Sequence, residues 1–225
     1  MAVTVDDIQS EVASIVDQDE DSSAISTDDY SLRLKYMNIA MNRWANLWNW
    51  QTLYKQYHMN VSTASANSSI ALPSDFRKLL SFPKITYDGA ATSDFPEVLP
   101  QDDSQYSSDQ KRVWILGNPQ NGYVLRVFGV DLSSGASVSV PYQRAPASLV
   151  SPAQIPEVPN HEYLTQSIVA QIWESREDAR FPQAKADANQ ILANMIEFES
   201  VGNEASDYRR VKTIEEKLSF RIGRD

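Results

Sequence analysis

Ser31–Trp50 reads SLRLKYMNIAMNRWANLWNW, and the spacing of its apolar residues decides most of the architecture. Leu34, Met37, Met41, Trp44 and Trp48 recur at intervals of three and four, as a helix requires to put them on one face. Leu32, Tyr36, Ile39, Ala40 and Leu47 form a second stripe, so this helix is apolar around most of its girth and is expected to be buried on more than one side. At helical spacing inside such a stripe, Trp44 and Trp48, with Trp50 just beyond, read as core rather than as a platform for sugars or bases.

Upstream, Thr4-Val5-Asp6-Asp7 has the form of a capping box, and Ile8, Val12 and Ile15 follow at helical spacing, which predicts a helix over about 5–16. The stretch DQDEDSSAISTDD (17–29) is polar and acidic and reads as a solvated connection. Downstream of Trp50 the period changes. Short β-branched and aromatic runs (59–63, 69–72, 79–87, 112–116, 123–130 and 136–143) alternate with separators rich in Asn, Ser, Gly and Pro, the pattern of an antiparallel sheet or small sandwich. GNPQNG (117–122) between WIL and YVLRVFGV reads as a hairpin connection. Residues 88–110, rich in Ser and Asp, read as a long exposed loop.

Four prolines (146, 152, 156, 159) predict an extended linker. Asn160 then caps a helix carrying Tyr163, Leu164, Ile168, Ile172 and Trp173. Pro182 interrupts, and Ala184, Ala188, Ile191, Leu192, Met195 and Phe198 continue in a last helix to about Gly202. The expected fold class is therefore α+β, an antiparallel helical bundle from N- and C-terminal helices with an inserted antiparallel β domain and an extended C-terminal tail. The divisions are 1–51 for the N-terminal helices, 52–145 for the β domain, 146–202 for linker and C-terminal helices, and 203–225 for the tail.

The 225 residues carry 20 Lys+Arg against 30 Asp+Glu, a net charge of -10. Nine of those acids precede Arg33, the first basic residue, so the rest is nearly neutral. Binding to DNA through a basic face is not expected, because counterion release needs clustered Lys and Arg. The sequence has no Cys, which excludes disulfide frameworks, Cys-ligated zinc, iron–sulfur clusters and thiol nucleophiles within it. MAVTVDDIQSEV lacks the basic and apolar regions of a signal peptide, and no run of about 18 apolar residues occurs, so neither export nor membrane spanning is expected.

Enzyme signatures are missing from the sequence. There is no G-x-x-x-x-G-K-[ST] loop, G-x-G-x-x-G, G-x-S-x-G or H-E-x-x-H. His58 and His161 are the only histidines; His161-Glu162 begins like a zinc helix but has Thr165 where a second His belongs, and His58 reads as a structural residue. Glu174 and Asp178, at i and i+4, read as a solvated helix face rather than a catalytic pair. No catalytic, cofactor or metal site is expected.

In order along the chain, Ala40-Met41-Asn42-Arg43-Trp44, Trp48-Asn49-Trp50-Gln51, LPSDFRKLL (72–80), the paired runs VWILGNPQNGYVLRVF, the strand end Tyr142-x-Arg144-x-Pro146 and Pro156-x-x-Pro159-x-x-x-Tyr163 resemble the head-to-tail adaptor proteins of tailed bacteriophages. The likeness covers about residues 30–200. LPSD reads as a strand end that caps one helical turn, lodging Phe76 and Leu79 on the core.

The resemblance implies a structural virion protein, assembled in the host cytoplasm: a homo-oligomeric ring of about twelve copies that joins the portal protein to a tail tube or nozzle protein, contacts tail fibres, and continues the DNA channel without binding the genome specifically. It implies no enzyme and no cofactor. A basic tail reaches the portal, with Arg209, Arg210, Lys212, Ile214, Leu218, Phe220 and Arg221 as contact candidates. That tail is expected to order only on its partner, where Thr213 and Glu216 cap a short helix. Asp17, Asp19, Glu20 and Asp21 are candidates to face the channel, where acids keep phosphates from sticking. Two competing expectations are a peripheral tail or adhesion component whose β domain binds fibres or host glycans through Tyr106 and Trp114, and a peptidoglycan-cleaving enzyme using Glu174 and Asp178.

Overall fold

The computed structural model describes residues 2–17, 25–61, 69–87, 92–130, 132 and 135–201. The elements run α1 (Val5–Val16), α2 (Thr27–Leu47), β1 (Tyr54–Asn60), β2 (Ser69–Ala71), β3 (Phe76–Leu79), β4 (Lys84–Thr86), β5 (Ser93–Asp94), β6 (Arg112–Asn118), β7 (Gly122–Phe128), β8 (Ser137–Arg144), α3 (His161–Ser175) and α4 (Phe181–Val201). The class is α+β with antiparallel sheets. Two compact units form, one from the residues up to Trp44 together with those from Ser148 onward, the other from Ala45–Ala147.

In the helical unit, α1 begins with the expected capping box: Asp7 N–H donates to Thr4 Oγ1 while Thr4 N–H donates to the Asp7 carboxylate at 2.7 Å. This satisfies amide donors that a helix start otherwise leaves open. Val5, Ile8 and Val12 are buried on one face of α1, and Tyr163, Leu164, Ile168 and Val169 are buried on α3. The Tyr163 hydroxyl donates to the Ala40 carbonyl of α2 at 3.2 Å. Asn160 caps α3, accepting from Glu162 N–H at 2.9 Å. Pro182 does not break α4 but lies in its first turn, where its missing N–H costs nothing.

The proline-rich stretch after Ala145 has no helix or strand, yet it is pinned rather than free. Val5 N–H donates to Gln154 O at 2.8 Å, and the Asn38 side chain both accepts from Leu149 N–H (2.8 Å) and donates to Leu149 O (3.0 Å).

In the β unit, β8 is the central strand. It pairs with β1 along one edge and with β3 and β4 along the other, and β5 follows β4. Val138, Val140 and Tyr142 alternate toward a core that also takes Ile70, Leu125 and Val127 from the second sheet, β2-β7-β6. The expected hairpin is present. Asn118 pairs with Gly122, and the Asn118 side chain accepts from Gln120 and Asn121 N–H. Gly117 sits at φ +119°, where an added Cβ would stand 2.1 Å from Gly122 O.

Three expectations are corrected. LPSD does not cap a helical turn: Phe76 N–H closes a tight turn onto Pro73 O, and Phe76–Leu79 becomes β3 because β8 offers Tyr142–Arg144 as an open edge. The expected strand 79–87 is two strands separated by Pro83, which cannot donate to a ladder. Residues 92–110 are not a plain exposed loop. They include β5, a 3-10 turn at Pro100–Gln105, and Phe95, which is fully buried. Arg112 holds this excursion down: 4% exposed, it donates to Asp103 Oδ1 (2.6 Å), Ser107 O (3.0 Å) and Gln110 O (3.0 Å), with Phe128 5.0 Å from its guanidinium.

Candidate functional site

His58 is on β1, and His161 opens α3. Glu174 and Asp178 do not share a helix face, because α3 ends at Ser175. Asp178 is instead held by Arg180 in a two-pronged ion pair (2.8 and 3.0 Å), which lowers its carboxyl to about 2, and that guanidinium lies 4.3 Å from the Trp173 ring centre. A carboxylate fixed in this state is poorly suited to proton donation near neutrality. Among the described residues no three His, Asp or Glu side chains come close enough to hold a metal ion. No described helix is long and apolar enough to cross a membrane.

Trp114, expected on an exposed binding face, is half-buried, its ring 4.4 Å from that of Phe128. Tyr106 is exposed. Trp44 and Trp50 are fully buried, in agreement with a core role.

One polar cluster in the β unit is well built. Asp75 accepts from Lys55 Nζ (2.7 Å) and from the Tyr142 hydroxyl (2.8 Å). Burial opposes ionisation of Asp75, but these two donors outweigh it and hold the carboxyl below its ordinary value. Burial, then the bond to Asp75, pushes Tyr142 up to about 12. The cluster ties β1, the β3 turn and β8 together.

The surface of the helical unit carries the more informative feature. Met37, Met41 and Trp44, the first stripe of α2, are buried. The second stripe is covered only in part: Ala40 is buried and Tyr36 and Leu47 are half-buried, but Ile39 is 47% exposed and Leu32 40%. The expectation that α2 is buried on more than one side is therefore met only in part among the described residues, because α1, α3 and α4 leave Leu32 and Ile39 uncovered. Beside Ile39 lies a groove of about 200 Å³ between α2, α3 and α4, bordered by Arg43, Tyr163, Gln171, Phe181 and Lys185. Phe198, expected in the core stripe of α4, is 83% exposed. Its flanking Glu197 and Glu199 were the signal in the sequence for a solvent-facing position.

Asp17, the one described member of the acidic channel candidates, caps the end of α1. Its carboxylate is shared by Arg33 of α2, which is buried, and by Arg176 at 3.2 Å. Asp19, Glu20 and Asp21 lie outside the described residues, as do the tail and its candidates Arg209, Arg210, Lys212, Ile214, Leu218, Phe220 and Arg221.

An apolar helix stripe left exposed at Leu32 and Ile39 is a surface that a partner can cover. The family model described as SU10 adaptor protein matches residues 3–212. The chain belongs to the SU10 adaptor protein family. Among curated proteins, none matches it. As an SU10-family adaptor the protein is a phage head-to-tail adaptor and a structural component of the virion, in a family not known for enzymatic activity. The match takes in both units of the adaptor, so the β unit is as much a part of the family pattern as the helices.

Proposed function

We propose that this adaptor forms a closed ring of about twelve copies that joins the portal to the tail and continues the DNA channel. The observation that carries the reading is the second apolar stripe of α2, left exposed at Leu32 and Ile39. Head-to-tail rings need two different surfaces on each subunit, and a helix apolar on two sides provides one of them after its own core is satisfied. The N- and C-terminal helices make a bundle that faces neighbouring copies, residues 52–145 form the inserted β domain, and 203–225 reach the portal through the basic and apolar residues Arg209, Arg210, Lys212, Ile214, Leu218, Phe220 and Arg221. Asp19, Glu20 and Asp21 face the channel and repel phosphates, so the genome passes without being read. A tail tube or nozzle protein, with or without fibres, docks on the opposite side. Rings form on portals in the host cytoplasm.

Truncation after Gly202 tests the reading. The shortened adaptor is expected to stay folded and soluble but to lose joining to portal-containing heads. Joining at the full-length level refutes the portal role of the tail. Cryo-EM of the full-length adaptor on such heads is expected to show a ring of about twelve subunits, and an asymmetric or monomeric attachment refutes the ring.

A further inference from the structure

The groove beside Ile39 and the exposed Phe198 fit one another as the two halves of a contact between copies. Both belong to α4 or its immediate neighbours, yet they cannot meet within one chain. Lys185, at the groove, and Phe198 lie on the same continuous helix, thirteen residues apart. That separation is about 20 Å along the axis and about 220° around it at 1.5 Å and 100° per residue. A rigid helix cannot bring its own Phe198 into its own groove.

We infer that Phe198 of one copy inserts into the Ile39 groove of the next, and that this knob and hole form the repeating contact of the ring. The inference rests on the ring reading above and names the surfaces that close it. Three observations select a second copy as the occupant. The groove holds about 200 Å³, room for a phenyl ring, since an aliphatic cavity of about 150 Å³ accommodates benzene. Its lining includes the apolar Ile39, Ala40 and Ala188 and the aromatic Phe181. The charges also match: Glu197 and Glu199 flank the knob, while Arg43 and Lys185 border the groove and outnumber Glu174 there. Arg43 also donates to Asn189 Oδ1 at 3.1 Å, which holds its guanidinium over α4 at this site. Two unlike surfaces on one subunit give a heterologous contact, the type that propagates around a ring.

The absence of Cys makes the test direct, because any introduced thiol is the only one in the adaptor. Full-length adaptor carrying Phe198→Cys is mixed with adaptor carrying Ile39→Cys on portal-containing heads, oxidised, and run on a non-reducing gel. The mixture is expected to give a covalent dimer, each single variant alone to stay monomeric, and the double variant to give a ladder. In parallel, Phe198→Ala is expected to weaken ring formation about 30-fold or more, the loss typical of a central aromatic anchor. Lys185→Glu weakens it as well, and Glu197→Lys on the same chain restores it.

A dimer from Phe198→Cys alone overturns the inference, because it means a symmetric contact. Rings that form on the heads but never crosslink overturn this contact and leave the ring reading standing. Failure of the unsubstituted adaptor to form any ring overturns both. Circular dichroism and a urea melt of each variant separate a lost contact from a lost fold.

Discussion

Gln143 is fully buried, and its Nε2 donates to the carbonyls of Ala45 (3.0 Å) and Trp48 (3.2 Å), which lie in and just past the last turn of α2. Helix ends leave carbonyls without intrahelical partners, and here a strand side chain supplies the donor. Replacement by Met keeps the volume and removes only the amide. Each orphaned carbonyl costs about 1–3 kcal/mol when water cannot reach it. The loss is partly offset because Gln143 Oε1 is itself buried without a hydrogen-bond partner and disappears in the same change. The net expectation is a destabilisation of about 2 kcal/mol, against under about 1.5 for a volume-conserving swap with no polar role. Gln143→Glu is expected to be worse by about 1 kcal/mol at neutral pH, since a carboxylate then faces the negative end of the helix. The assay is urea unfolding of the full chain by tryptophan fluorescence, with the slope checked for constancy. A Gln143→Met midpoint equivalent to less than about 0.5 kcal/mol refutes the reasoning.

Four further outcomes follow from the geometry described above. The carboxyl of Asp75 lies below its ordinary value in the folded state, so it contributes stability above the unfolded-state pKa that is lost as pH falls through the folded one. Asp75→Asn should therefore flatten the acid limb of a melting-temperature profile, and an unchanged slope below about pH 4 counts against the cluster. Tyr142 is raised to about 12. Its contribution is full below about pH 10 and is lost between there and 12, so Tyr142→Phe should reduce the alkaline loss of stability. Arg112→Ala removes three hydrogen bonds and a ring contact and should open 99–110 to limited proteolysis, with a cost of about 3 kcal/mol in the melt; protease resistance equal to the parent refutes the clamp. Trp44→Ala should cost about 3–5 kcal/mol, the range for emptying a large buried aromatic site.

The parts of the fold that the sequence made legible are those controlled by neighbours in the chain. The Thr4–Asp7 capping box, the Asn160 cap and the Asn118–Gly122 turn each depend on residues within a few positions, and each is found where local rules place it. The end of α2 at Leu47 instead of Trp50 is set by Gln143, nearly a hundred residues away, and no local pattern announces it. LPSD illustrates the same limit. Its residues suit a helix start, but an open edge on β8 recruits Phe76–Leu79 as a strand. In the polar run 92–110 the few apolar residues sit among Ser, Asp, Gln and Pro and differ in burial, Phe95 and Val98 inside and Leu99 and Tyr106 exposed, so burial could not be inferred from spacing. At the candidate surface the two stripes of α2 were readable, whereas which of them one chain covers depended on where α1, α3 and α4 pack. Phe198 shows the converse: its helical spacing pointed inward, and only the flanking acids pointed out.

The position of β8 has a consequence for how the polypeptide acquires its structure during synthesis. The strand that touches β1, β3 and β4 is the last of the β unit to emerge from the ribosome. Its predecessors can form the β6-β7 hairpin early, since those contacts are local, but the five-stranded sheet waits for residue 144. Non-local pairing of this kind is slow and leaves edges open meanwhile. The helices are later still, because α1 and α2 find α3 and α4 only after the whole intervening unit has been made. The nascent chain thus matures from the inside of its sequence outward, and the surfaces that would let copies associate are completed last.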